Sequence, residues 1–440
     1  MSELISLGLD VGTTSSQMVV SRLQVENRGG SFSVPRMEIT GRKICYKSPV
    51  HFTPLLEGDL VDAGKLRQMV DEELEKAGIT KDQIDTGAII ITGETSRKEN
   101  ARAVLEELSG YAGEFVVATA GPDLESVLAA KGAGAVDFSE KTGKQVLHMD
   151  IGGGTANLAL IEDGIIRATT CLNVGGRLLK IGTDGMLIYV SPVLKGLFSK
   201  KVGDYVNQEE VTELCRRLAQ VLEAAAGLRP WEGWMDRLKT VGASGMIPPE
   251  GAVISFSGGV ADCIEQAQHW LAFGDMGPEL GRAIRESGLC SGAYMLGQET
   301  IRATVIGAGC HSAQLSGSTV FHQNVDFPLK NLPVVESAEA LRTLDGPGVL
   351  ALQGISSPTY VRVAALAEEM SRAFGSGPVI LALQEDMAKA LGQQIALRMG
   401  AGAKILCIDR VSLKEGDYLD VGAPVGPALP VVIKTLTLSR

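Results

Sequence analysis

With 440 residues, 41 Lys+Arg against 52 Asp+Glu and a net charge of −11, the chain has room for roughly three domains and carries no basic footprint for nucleic acid. Its 45% hydrophobic and 21% charged residues argue against disorder, and no apolar run approaches the ~20 residues of a membrane span. Seven widely spaced cysteines without a C-x-x-C pair, and five histidines without ligand spacing, argue against a disulfide framework, a zinc knuckle and a protein-held transition metal. The N-terminus lacks a basic stretch and reaches Asp10 at once, so a cytoplasmic protein is expected, with neither nucleic acid nor membrane as partner.

Taken in chain order, residues 4–9 and 17–23 predict two strands joined by a glycine- and hydroxyl-rich turn, a hairpin that opens a sheet. Between 25 and 54 the pattern is mixed and predicts only short strands or loops. Leu66, Met69, Val70 and Leu74 recur at helical spacing between Asp62, which can cap a helix, and Gly78, which can end one. Residues 88–92 predict a buried strand, and Ser96 with Glu99 forms a capping box for a helix carrying Val104, Leu105 and Leu108. A strand at 115–118 and a helix at 124–131 follow, an alternation that predicts a largely parallel sheet behind the hairpin.

A second hairpin is expected from 145–150 through 157–161, an Asp163-Gly164 turn and 165–170. Val211, Leu214, Cys215, Leu218, Val221, Leu222 and Ala225 mark a long amphipathic helix. Residues 253–256 predict another buried strand and 298–315 a helix of small residues. Beyond Phe321, a strand at 379–383 and a helix near 385–398 predict a further α/β unit.

The two hairpins are related. Leu7-Gly-Leu-Asp-Val-Gly-Thr-Thr-Ser-Ser-Gln-Met18 aligns without a gap on Leu147-His-Met-Asp-Ile-Gly-Gly-Gly-Thr-Ala-Asn-Leu158, so Asp10 matches Asp150 and Gly12 matches Gly152, while Thr13, Thr14 and Ser15 match Gly153, Gly154 and Thr155. Such internal similarity predicts two duplicated halves facing each other. Glycine turns aim successive N–H groups into a concavity that holds anionic oxygens, hydroxyls add donors, and two aspartates suit Mg²⁺, which favours one or two carboxylates together with phosphates and water. A third element, Ile254-Ser-Phe-Ser-Gly-Gly-Val-Ala-Asp262, puts Gly258 and Gly259 directly after a strand, where absent side chains leave room for an adenosine. There is no G-x-x-x-x-G-K-[ST] and no G-x-G-x-x-G dinucleotide motif.

This triple pattern, spanning about residues 4–315, resembles the superfamily of actin, the sugar kinases and the heat-shock chaperone ATPases. The resemblance implies an α/β fold of two duplicated actin-like (ribonuclease H-like) ATPase halves, 1–144 and 145–320, around a nucleotide cleft, plus a C-terminal α/β unit at 321–440. ATP or ADP with Mg²⁺ would lie on Asp10 to Ser15, Asp150 to Thr155 and Gly258–Gly259, with Asp10 and Asp150 anchoring the metal. Glu125 resembles the glutamate that positions attacking water in the chaperone ATPases, a solvated first-turn carboxylate being the competing reading and Glu94 the alternative group.

Over its whole length, including Gly416-Asp-Tyr-Leu-Asp-Val-Gly-Ala-Pro and Val431-Val-Ile-Lys-Thr-Leu, the chain looks most like the ethanolamine ammonia-lyase reactivating factors. That resemblance implies a chaperone-like ATPase whose partner is the adenosylcobalamin-dependent lyase, from which damaged cobalamin is released so that intact cofactor can enter. It also admits a homo-oligomer and residence in or beside a bacterial microcompartment. A small-molecule kinase of the same fold and a nucleotide-regulated actin-like scaffold are the competing expectations.

Overall fold

The computed structural model describes residues 2–12, 15–27, 37–56, 60–91, 116–119, 122–240, 251–311, 313–316, 319–344, 346–411, 413, 415, 417–422, 424 and 429–435. Thr13, Thr14, Glu94 and the helix expected after Ser96 lie outside them.

Strands β1 (Ser2–Val11) and β2 (Ser15–Asn27) form the opening hairpin, with Asp10 opposite Gln17. β3 (Met37–Lys47) continues the sheet antiparallel to β2, β4 (His51–Phe52) pairs with the start of β2, and β5 (Thr86–Ile91) and β6 (Val116–Thr119) add parallel strands beyond β1. Helix α1 (Ala63–Ala77) begins at Asp62, whose side chain accepts from the Lys65 amide, and ends at the left-handed Gly78. Strand alternation decides what each face covers. Leu7, Leu9, Val11, Ile89 and Ile91 pack with Leu66, Val70 and Leu74 of α1, whereas Ala88 and Ile90 turn the other way, against Leu128 and Ala308.

The eleven residues of β3 correct the expectation of only short strands between 25 and 54. Its pairing with β2 is broken by irregularities at Val20/Ser21 and Gln24/Val25, and most of it is partly exposed, so the two-residue alternation that announces a strand is blurred.

Helices α2 (Pro122–Gly132) and α3 (Ala135–Thr142) lead into a second sheet of β7 (Val146–Ile151), β8 (Ala156–Glu162) and β9 (Ile165–Leu172). A small hairpin, β10 (Leu179–Ile181) and β11 (Leu187–Val190), and helix α4 (Gln208–Ala225) precede β12 (Val253–Ser257), which is followed by α5 (Asp262–Glu265), α6 (Gly277–Glu286) and β13 (Tyr294–Leu296). The sheet order is β9-β8-β7-β12-β13, with β8 and β9 antiparallel and β12 and β13 parallel. This repeats β3-β2-β1-β5-β6 strand for strand. The duplication read from two short motifs therefore extends to two whole sheets, and the chain has an α/β fold with two sheets of the same strand order. Leu147, Met149 and Phe256 pack the second sheet against α4 and α6.

Helix α7 (Ala303–His311) closes the design: it lies on the first sheet, α2 lies on the second, and the two helices touch. A Cβ on Gly307 would stand 2.0 Å from the Leu128 carbonyl oxygen, so only glycine permits this approach. The helix expected over 298–315 is shorter, because 301–302 form a turn and β14 (Ala313–Leu315) is extended.

A third sheet combines β14 with β15 (Phe321–Gln323), β16 (Leu329–Val335), β17 (Val349–Leu352), β18 (Val379–Leu383), β19 (Ile405–Ile408), β20 (Asp417–Val421) and β21 (Pro430–Thr435), in the order β14-β21-β20-β16-β17-β18-β19-β15. Its parallel centre, β16 to β19, packs on α9 (Tyr360–Phe374) and α10 (Ala388–Met399), with the short α8 (Ala338–Arg342) alongside. Among the described residues no helix is long and apolar enough to cross a membrane.

Candidate functional site

The two motif hairpins close in the same way. The Gly12 amide donates to the Ser15 carbonyl and the Gly152 amide to the Thr155 carbonyl, both at 2.9 Å. Asp10 and Asp150 sit at matching register positions, opposite Gln17 and Asn157 respectively. Gly154 is exposed, and Gly152, Gly153 and Thr155 are partly so, which leaves the second turn open to a ligand. In the first turn Gly12 and Ser15 are partly exposed, and Thr53 holds the Gly12 carbonyl at 2.7 Å.

All three motifs converge on the segment that enters α7. The Thr300 carbonyl accepts from the Gly258 amide at 3.1 Å, and the Ile301 carbonyl accepts from Gln17 Nε2 at 3.2 Å. Thr304 Oγ1 lies 3.4 Å from Asp150 Oδ2, and Ile301 Cδ1 would lie 3.9 Å from a Cβ on Gly259. Five residues, Thr300 to Thr304, thus touch the first hairpin, the second hairpin and the glycine pair.

The two glycines of the third motif have different tasks. Gly258 is buried at φ +87°, and a Cβ there would lie 2.3 Å from the Ile151 carbonyl oxygen, so it fastens β12 to the second hairpin. Gly259 is exposed, and a Cβ there would meet only Ile301 Cδ1, at van der Waals distance.

Asp150 is buried, with Ser257 Oγ donating to its Oδ1 at 2.5 Å. Burial pushes its carboxyl up to about 6, against the lowering effect of the Ser257 and Thr304 hydroxyls. Behind Ser257 stands His148, fully buried, with Nε2 2.9 Å from Ser257 Oγ and Nδ1 3.1 Å from Ser255 Oγ. Burial pushes this imidazole down to about 3, so it is neutral. Glu125 lies in the first turn of α2, half-buried, next to Ser126, whose hydroxyl donates to the Thr170 carbonyl of β9.

The donors suit Mg²⁺. Gln17 Oε1 and Asn157 Oδ1 are buried acceptors without a hydrogen-bond partner, one beside each aspartate, and they match the outward hydrogens of a hydrated ion. No group of three or more His, Cys, Asp or Glu among the described residues could hold a metal by itself, so the phosphates would have to complete its shell.

Several of these residues escape the sequence reading. Ser257 stands in the third motif without a role of its own there, and Thr304 lies inside the helix expected over 298–315. His148, two residues before Asp150, and Ser255, two before Ser257, are polar positions at strand period in otherwise apolar runs, a signal that was present. Gly175, Gly176 and Arg177 form a further glycine loop on the second hairpin: the Gly176 amide donates to the Gly152 carbonyl at 3.0 Å and the Arg177 amide to that of Gly153 at 2.6 Å. Arg177 is held from below by Asp275, with Nε 3.1 Å from Oδ2.

The protein-family model described as "Ethanolamine utilisation protein EutA" matches residues 2–346 and 340–439. The chain is 37% identical to the ethanolamine ammonia-lyase reactivase EutA of Escherichia coli (strain K12), over 99% of this chain and 98% of that protein. It is 36% identical to the reactivase of the same name from Salmonella typhimurium (strain LT2), with the same coverage. Among solved structures, an Aquifex aeolicus Ppx/GppA phosphatase of type II aligns with 70% of this chain and 99% of its own, at a TM-score of 0.41 and 14% identity.

Proposed function

The chain belongs to the ethanolamine utilisation protein EutA family, and we propose that it is a chaperone-like ATPase that reactivates adenosylcobalamin-dependent ethanolamine ammonia-lyase. In this reading ATP binds between the halves and damaged cobalamin leaves the lyase so that intact cofactor can replace it. The observation that carries the nucleotide site is the convergence of both hairpins and the glycine pair on Thr300 to Thr304. A nucleotide touching all three would register its phosphates on a segment that continues directly into α7.

The two turns, formed by Gly12, Thr13, Thr14, Ser15, Gly152, Gly153, Gly154 and Thr155, hold the phosphates through their hydroxyls and the amides other than those of Gly12 and Gly152, which close the hairpins. Gly259, seated by Gly258, receives the nucleoside. Asp10 and Asp150 would hold Mg²⁺, with Gln17 and Asn157 accepting from its water shell; when bound, the ion neutralises phosphate charge. Glu125 orients the attacking water from α2. Motion follows from α7: Ser6 Oγ donates to its Gly309 carbonyl at 2.5 Å while Thr304 contacts Asp150, so α7 couples the second hairpin to the first sheet. The reading takes 1–144 and 145–320 as the ATPase halves and 321–440 as the C-terminal unit, in a cytoplasmic protein within or beside a bacterial microcompartment.

The test incubates the chain with Mg-ATP and ethanolamine ammonia-lyase loaded with a cobalamin lacking its adenosyl group, then adds adenosylcobalamin. Recovery of lyase activity together with phosphate release is expected. Phosphate transfer to a metabolite would favour a kinase, and nucleotide-dependent light scattering a scaffold.

A further inference from the structure

The hydrogen bonds behind Asp150 have one consistent direction. A carboxylate oxygen only accepts, so Ser257 donates its single hydroxyl hydrogen to Asp150 Oδ1. Toward His148 the Ser257 oxygen must then accept, which puts the imidazole hydrogen on Nε2. The bare Nδ1 of the neutral ring accepts in turn from Ser255. Ser255, His148, Ser257 and Asp150 form an ordered chain within two adjacent parallel strands, in the register His148↔Ser255 and Asp150↔Ser257. His148, Ser255 and Ser257 have no exposed surface, and Asp150 retains 6%.

The duplicated half shows that the sheet itself does not need these groups. By the same register, Gly8 stands in the first half where His148 stands in the second, with Ala88 in place of Ser255 and Ile90 in place of Ser257. There the space over Gly8 is taken by the α7 backbone, since a Cβ on Gly8 would lie 2.5 Å from the Val305 carbonyl oxygen. One half spends these three positions on packing, the other on three polar groups that must all be satisfied.

We infer that His148 is a positioning residue for the nucleotide site: through Ser257 it fixes the rotation of the Asp150 carboxylate, with Oδ1 engaged and Oδ2 turned toward Thr304. The inference rests on the proposed binding of Mg-nucleotide at Asp150. Without the Nε2 hydrogen, Ser257 loses the donor that sets its own direction, and Asp150 is left free to rotate before the ion arrives. Partners of this kind, one step removed from a metal ligand, change metal affinity by roughly ten- to hundredfold when altered.

The geometry allows a discriminating pair of variants. The amide nitrogen of His148→Gln reaches about as far as Nε2 and can still donate to Ser257, whereas that of His148→Asn reaches only as far as Nδ1. ADP affinity is measured by calorimetry with Mg²⁺ and with chelator, alongside thermal unfolding, for both variants and for Ser257→Ala. Wild type and His148→Gln are expected to show the same gain in affinity from Mg²⁺. His148→Asn and Ser257→Ala are expected to lose about tenfold of that gain, with ADP binding in chelator unchanged. Equal losses in Gln and Asn that follow their melting temperatures, or no loss in Asn, would overturn the inference. Nitrogen NMR of the wild-type histidines gives a readout that does not depend on nucleotide: an Nε2–H tautomer is expected for His148, and an Nδ1–H tautomer overturns the chain. Wild type lacking any gain from Mg²⁺ would instead overturn the nucleotide reading beneath it.

Discussion

Gln17 and Asn157 occupy the same place in the two hairpins: each lies directly across from its aspartate, Asp10 or Asp150, and each keeps a buried side-chain oxygen that accepts no hydrogen bond. A buried acceptor left unpaired costs about 1–3 kcal/mol, so two at equivalent positions mark a site organised for something that donates to them. Asn157→Leu is expected to stabilise the unliganded chain by about 1 kcal/mol in denaturant unfolding while weakening Mg-nucleotide. Lower stability together with unchanged affinity would mean that the amide serves the fold alone.

The aspartates should separate binding from folding. Asp10→Asn and Asp150→Asn keep side-chain volume and remove one charge-assisted contact each, worth about 1.5–3 kcal/mol. Phosphate release and lyase reactivation are both expected to fall about ten- to hundredfold while circular dichroism stays native. If both variants reactivate the lyase at the normal rate, ATP does not drive the exchange.

Asp150 also sets a pH dependence. Because its folded pKa is raised by burial to about 6, the folded chain holds that proton more tightly than the unfolded chain does. Its stabilising contribution is present below the ordinary carboxyl range and is lost as pH rises through about 6. Mg²⁺ competes with the same proton, so the gain in ADP affinity from Mg²⁺ is expected to shrink as pH falls below about 6. In metal-free buffer at pH 8, Asp150→Asn should melt higher than wild type, since it removes a buried uncompensated charge.

Gly258 and Gly259 predict opposite phenotypes. Gly258→Val drives a branched side chain into the Ile151 backbone at a φ of +87°, so loss of soluble folded protein is expected. Gly259→Val meets no more than an ordinary van der Waals contact with Ile301 and is expected to leave melting unchanged while weakening adenosine, ADP and ATP alike in calorimetry. Full nucleoside affinity in folded Gly259→Val would remove this residue from the site.

Glu125→Gln is expected to bind nucleotide like wild type and to slow single-turnover hydrolysis by about 10²-fold or more, as for a group that takes or orients a proton in the transition state. Unchanged hydrolysis would assign Glu125 to the first turn of α2 as a dipole-stabilised surface carboxylate.

Local pattern by itself determines much of this molecule. Helix α1 was readable because Asp62 and Gly78 bracket a clean 3.6-residue rhythm, and β18 because five apolar residues stand between turn signals. The gapless match of residues 7–18 with 147–158 announced two halves, since a strand, a carboxylate and a glycine turn at fixed spacing are local requirements. What tertiary structure decided are the relations for which sequence distance carries no information. Thr300 to Thr304 read only as part of a helix, yet they are the turn and first residues of α7 where both hairpins and Gly258 meet, and such convergence exists only once the two sheets share α2 and α7. The same holds for Gly258, which as sequence is one of two equivalent glycines and in the fold is the buried one, pressed on Ile151. His148 shows the limit most clearly. In the sequence it is an isolated polar residue in an apolar strand, and its meaning comes from Ser255 and Ser257, more than a hundred residues away, which parallel pairing brings to its two ring nitrogens.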